Sequence, residues 1–199
     1  MKYILHFIAL LFISSHSFCQ NIQRQENETA EVFINKVIPD SAVLAHQIIS
    51  TNIWTKKSKS FIAFYEDKRK KTNSHCNEII GHLYFSLDNR NYKDLIITSV
   101  EEDGGCVEIV AVFFANADKD KEKELVVLCK YEQRHYDYNG AFYETLILDD
   151  PVNDDELTYL EDTSKRFFGC ECSWREGKTE IAKYKTAKEI KYKLKKMGF

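Results

Sequence analysis

Val107-Glu-Ile-Val-Ala-Val-Phe-Phe-Ala115, then Asn116-Ala-Asp118-Lys-Asp120-Lys-Glu122-Lys-Glu124, then Leu125-Val-Val-Leu128: two apolar runs are joined by a loop with oxygen-bearing side chains at every second position. The runs are short, rich in valine and phenylalanine and bounded by polar residues, which is the pattern of buried strands rather than helices. The loop between them is therefore a strand-to-strand connection. Past Cys129 the chain continues to Tyr138, meets Asn139-Gly140, and runs on through Ala141 to Leu148. Asn-Gly between alternating segments predicts a two-residue type I′ turn, because both residues accept positive φ. That turn would set Tyr138 against Ala141, Tyr136 against Tyr143, His135 against Glu144 and Arg134 against Thr145.

Working outward, Ser58 to Glu66 alternates as a strand, and Ile79 to Leu87 and Lys93 to Val100 are two more, joined by the turn formers Asp88-Asn-Arg-Asn91. Glu101-Glu-Asp-Gly-Gly105 is a further turn, and Lys68 to Ser74 a basic, polar connection. Strands in such close succession predict an antiparallel meander. Val107 to Ala115, apolar at all but Glu108, is expected deep in the sheet. Before the strands, Val32, Phe33, Lys36 and Val37 fall at helical spacing after Thr29, and Pro39 stops the run. The segment from Ala42 to Ile49 suits helix or strand. Leu157 to Phe168 reads as a strand before Gly169, and short strands flank Glu176-Gly177. Thr186-x-x-Glu189 is a capping box, and Ala187, Ile190, Leu194 and Met197 then make an amphipathic helix stopped by Gly198. The expected fold is α+β: a mainly antiparallel sheet of meander and long hairpin, with an N-terminal helical segment and a C-terminal amphipathic helix packed on it.

Met1 to Gln20 has one early charge, an apolar block from Tyr3 to Ile13 and a small polar end. This is the layout of a secretory signal, and the block is too short to span a bilayer. Cleavage is expected after Cys19, giving a signal peptide at 1–19 and one domain at 20–199. The short signal points to a bacterium and the periplasm or exterior. A lipoprotein anchored through Cys19 is the alternative, disfavoured because His16-Ser-Phe18 is not the run of small residues such a signal wants. Removing residues 1–19 takes away only Lys2, leaving 27 basic against 31 acidic side chains, a balance that gives nucleic acid no footing. Two prolines and seven glycines leave no room for a flexible linker.

Five cysteines remain after cleavage, and in an oxidising compartment they pair where geometry allows. Cys129 lies inside an apolar run and is the expected leftover thiol. Zinc at Cys170-Glu-Cys172 lacks the usual spacing and a second pair.

The alternating acids gather hard oxygen ligands as calcium requires. Asn116-x-Asp118-x-Asp120 followed by Glu124-Leu125-Val126-Val127 resembles the calcium loop of the FG-GAP and VCBS repeat proteins, where acids at alternate positions run into an apolar strand. The resemblance covers the loop alone and implies calcium held by Asn116, Asp118, Asp120 and Glu124, with the Glu122 carbonyl as a further ligand. Lys121 stands where that family has glycine. Read instead as an EF-hand, the loop would put its bidentate ligand at Val127, which carries no oxygen. The other reading is a solvated, charge-balanced turn.

Tyr136, Tyr138, Phe142 and Tyr143 suit strands, and near the hairpin tip they also form a candidate contact surface for a protein or glycan. No nucleophile elbow, zinc-protease helix, phosphate loop or dinucleotide fingerprint occurs, and the mature histidines, His46, His75, His82 and His135, sit in no catalytic pattern. Two functions stand: an exported, non-catalytic binding, inhibitor or immunity-type protein with a structural calcium loop, and a small secreted hydrolase using a metal held by the acidic loop.

Overall fold

The computed structural model describes residues 22–55, 57–68, 76, 78–100, 105–152 and 156–199. The expected signal segment at 1–19, most of the basic connection after Lys68, His75 and residues 101–104 lie outside the described residues. The described residues are mainly antiparallel β with three short α-helices. Its strands form two sheets, where the sequence suggested one continuous meander.

The first sheet takes the N-terminal half: β1 (Ile22–Gln23), β2 (Ala42–Leu44), β3 (Ile49–Thr51), β4 (Ser60–Asp67), β5 (Ile79–Ser86) and β6 (Asn91–Val100), ordered β1-β6-β5-β4-β2, with β3 also on β4. The second takes the C-terminal half: β7 (Val107–Ala115), β8 (Glu124–Arg134), β9 (Tyr138–Val152), β10 (Glu156–Tyr159), β11 (Gly169–Trp174) and β12 (Thr179–Glu180). Its order is β12-β11-β9-β8-β7, with β10 also on β9.

The reason for two sheets lies in strands that are apolar on both faces. On β4, Ile62 and Phe64 point one way and Phe61, Ala63 and Tyr65 the other. A strand of that kind must be covered twice. Ile62, Phe64, Leu83, Phe85, Leu95 and Ile97 of the first sheet share one core with Ile109, Leu125, Val127, Cys129 and Leu148 of the second. On the outer side of the first sheet, α1 (Ala30–Val37) buries Phe33 and Ile34 among Phe61, Tyr84 and Tyr92. Each such side chain stabilises the fold by about 1.5–3 kcal/mol. On the outer side of the second, Ile190 and Leu194 of α3 (Ala187–Met197) are buried with Val126, Leu128, Ile147 and Phe167. Thr29 caps α1 by accepting from the Val32 N–H at 3.3 Å, and Thr186 caps α3 by accepting from the Glu189 N–H at 3.3 Å. Gly198 closes α3 in the left-handed region, φ 97°.

Four local expectations are corrected. Val107 to Ala115 is an edge strand rather than a central one, covered from outside by Lys191 over the Phe113 ring and from inside by Trp54 against Phe114. Ala42 to Ile49, read as one segment of helix or strand, is instead two short strands around a bend, reaching Thr51. Residues 161–167 are helical: α2 (Glu161–Ser164) runs into a 3-10 turn, Lys165–Phe167, whose Phe167 is fully buried. Too short for a periodic stripe, that helix had no sequence signature.

The fourth correction is the hairpin. Leu125 pairs with Leu148, Tyr131 with Phe142 and Arg134 with Asn139. The His135 N–H donates to the Tyr138 carbonyl at 2.9 Å, so Tyr136 and Asp137 form the turn, three residues before Asn139-Gly140. Gly140 serves another purpose. It has φ 151° and faces Cys172 of β11, where a Cβ would lie 2.0 Å from the Glu171 carbonyl oxygen. Glycine is required there by the close approach of a third strand, not by a turn.

Cys76–Cys106 and Cys170–Cys172 are disulfides, and Cys129 is a buried free thiol whose pKa burial pushes up to about 12. The first closes a sequence separation of 30 and, on loop entropy alone, stabilises by about 3.5 kcal/mol; the second closes a separation of 2 and contributes about 1.5 kcal/mol. Among the described residues no helix is long and apolar enough to cross a membrane.

Candidate metal centre

β7 ends at Ala115, paired with Glu124 at the start of β8, and the acidic loop bridges them. Two side-chain bonds curl it: the Asp120 N–H donates to Asp118 Oδ1 at 2.8 Å, and the Glu122 N–H donates to Asp120 Oδ1 at 2.8 Å. Its far end is pinned from the first sheet, where the Trp54 indole N–H donates to the Lys123 carbonyl at 2.8 Å. Lys119, Lys121 and Lys123 are exposed.

Glu124 is fully buried, at 0% exposure. Its Oε2 accepts from the Ala117 N–H, while Oε1 is buried with no hydrogen-bond partner. Burial pushes its carboxyl up to about 7, against the Ala117 hydrogen bond and with help from the charges of Asp118 and Asp120. One step beyond Leu125 and Leu148, the β8–β9 register sets Glu124 opposite Asp149. Like charges directly across a strand pair are destabilising. Asp149 is also held above the usual carboxylate range, first by burial and then by Asp150 and Asp120, although the Asp150 N–H donates to its Oδ1 at 2.8 Å.

Asp118, Glu124 and Asp149 offer carboxylate oxygens within 4.8 Å of one another, and Asp120, Asp149 and Asp150 form a second such group. Among the described residues, none of these five carboxylates has a lysine or arginine in ion-pair contact. A buried carboxylate with an unpartnered oxygen must take up a proton or a cation. The donors are all oxygen, which suits a hard cation such as calcium, with water and carbonyls completing six to eight ligands. Of the five residues singled out in the sequence, Asp118, Asp120 and Glu124 enter these groups. Asn116 stays half-buried at the loop's start, and the Glu122 side chain is exposed. Asp149 and Asp150 went unnoticed because the misplaced turn put residue 155 opposite Glu124.

Two other polar or aromatic clusters lie apart from these acids. At the hairpin tip Tyr136 is 87% exposed with the Arg175 guanidinium 4.6 Å from its ring centre, and Tyr138 lies 4.5 Å from both Trp174 and His135. A cleft of about 290 Å³ separates this tip from the β11–β12 turn. Phe142 packs toward the shared core and Phe168, whereas Tyr143 turns to the opposite face, toward α3. On the first sheet, His82 Nδ1 lies 2.6 Å from Asp94 Oδ1 and Nε2 3.1 Å from the Tyr65 hydroxyl, the order of a proton relay. Burial, then the charges of Asp94 and Asp67, raise the Tyr65 phenol, the opposite of an activated nucleophile. The relay is a satisfied polar cluster, stacked against Tyr84.

Comparison with known proteins finds no matching family model, no matching curated protein and no matching solved structure.

Proposed function

We propose that this protein is an exported binding module whose β7–β8 loop is fastened to β9 by a calcium ion, and whose hairpin tip, with Tyr136, Tyr138 and Arg175, is the surface offered to a protein or glycan partner. The observation that carries the ion is Glu124 Oε1, buried and unpartnered beside Asp118 and Asp149. Among the described residues both carboxylate groups contain acids alone, the all-oxygen donor set that supports a hard cation such as calcium. The paired cysteines and the signal-like start support an exported destination, where calcium is plentiful and an affinity of about 10⁻⁴–10⁻³ M is sufficient.

Terbium luminescence tests the ion, because Trp54 is hydrogen-bonded to the loop and its indole can sensitise a lanthanide in the calcium position. Emission excited at tryptophan should rise on adding terbium, fall on adding millimolar calcium, and be lost in Trp54→Phe. Emission unchanged by calcium, or equal in Trp54→Phe, would remove the ion from this reading.

A further inference from the structure

Cys170 and Cys172 lie on β11, which is already paired through its backbone to β9 on one edge and β12 on the other. A cross-link between neighbours on one strand ties no two elements together. Loop closure gives it little to add either: with a sequence separation of 2 against 30 for Cys76–Cys106, loop entropy favours its closed form about thirtyfold less. The two sulfurs are also unlike, since Cys172 is 1% exposed and Cys170 half-buried. Cys170 faces Phe142, whose ring lies 5.6 Å from that of Phe168, 57% exposed, so the less buried of the two cysteines lies beside an aromatic pair.

We propose that Cys170–Cys172 is a thiol–disulfide exchange site that takes electrons from dithiols. A thiolate of the dithiol attacks Cys170 Sγ; the Cys170–Cys172 bond breaks, and Cys172 leaves as a thiolate that takes a proton. The second thiol of the dithiol loses its proton and attacks its own mixed-disulfide sulfur, releasing Cys170 as a thiolate that is protonated in turn. The dithiol becomes a disulfide, and the pair has gained two electrons and two protons. This adds a reaction to the binding role proposed above and does not depend on calcium.

The test uses the full chain, equilibrated with stepped ratios of reduced to oxidised dithiothreitol, quenched by alkylation and read cysteine by cysteine in mass spectra. Cys170 and Cys172 should become half-alkylated at a ratio about thirtyfold less reducing than Cys76 and Cys106. With oxidised glutathione, Cys172→Ser should form an adduct on Cys170, and Cys170→Ser should leave Cys172 unmodified. Reduction of both pairs together, or of Cys170–Cys172 last, would overturn the proposal, as would an adduct on Cys172. The wild-type titration decides even where a variant does not fold.

Discussion

Replacing Glu124 by glutamine separates the cost of a buried charge from the gain of a bound ion. Glutamine keeps an acceptor for the Ala117 N–H and puts an amide where Oε1 stands unpartnered, at a cost of about 1–3 kcal/mol. Against that, it removes a carboxylate whose pKa lies near 7 instead of the usual 4.5, a shift worth at most about 3 kcal/mol at high pH and less where water reaches the loop. The two terms offset, so in chelator wild type and Glu124→Gln should unfold within about 1 kcal/mol of each other. Calcium breaks the tie. At about 10 to 100 times its dissociation constant a bound ion stabilises wild type by about 1.4–2.7 kcal/mol, which moves the midpoint of a domain this size by about 3–10 °C. Thermal unfolding followed by circular dichroism, with about 10 mM calcium and with chelator, should show that rise in wild type and less than about 2 °C in Glu124→Gln. Equal rises in both proteins, or none in wild type, would refute the reasoning.

Without calcium, the raised Glu124 carboxyl makes the folded state hold more protons than the unfolded state between about pH 4.5 and 7, so stability falls as pH climbs through that window. Urea midpoints from pH 4.5 to 8 in chelator should show the fall, and Glu124→Gln should flatten it. Gly140→Ala drives a Cβ to 2.0 Å from the Glu171 carbonyl and should cost more than about 3 kcal/mol in urea unfolding, whereas Asn-Gly placed at Tyr136-Asp137 should leave the hairpin intact. Removing Cys76–Cys106 should lower stability by about 2 kcal/mol more than removing Cys170–Cys172, measured from denaturant midpoints of the paired Cys→Ser variants. Phe33→Ala, which empties the centre of the Phe61, Tyr84 and Tyr92 cluster, should cost about 3–5 kcal/mol by the same measurement.

Much of this was legible before the coordinates. The three long strands of the first sheet, β4, β5 and β6, announced themselves by alternation, α3 by its capping box, and the leftover thiol by the apolar run around Cys129; the short β1, β2 and β3 did not. What stayed hidden has physical causes. Alternation tells which residues share a face of a strand but not what covers that face, so the division into two sheets could not be read from Phe61 to Tyr65. Asn139-Gly140 misled because glycine answers two needs, positive φ and close backbone approach, and here the neighbour is β11. That one error carried into the site: with the turn three residues too late, Glu124 lost its true partner Asp149, and two of the five carboxylates, Asp149 and Asp150, went unseen.

The count of calcium ions per chain bears most directly on the central claim. Equilibrium dialysis of chelator-stripped protein against about 5 mM calcium should find one bound ion in wild type and none in Asp149→Asn, the proposed ligand that only the β8–β9 register reveals. Wild type without bound calcium, or Asp149→Asn binding as tightly as wild type, would contradict a site closed between the loop and β9.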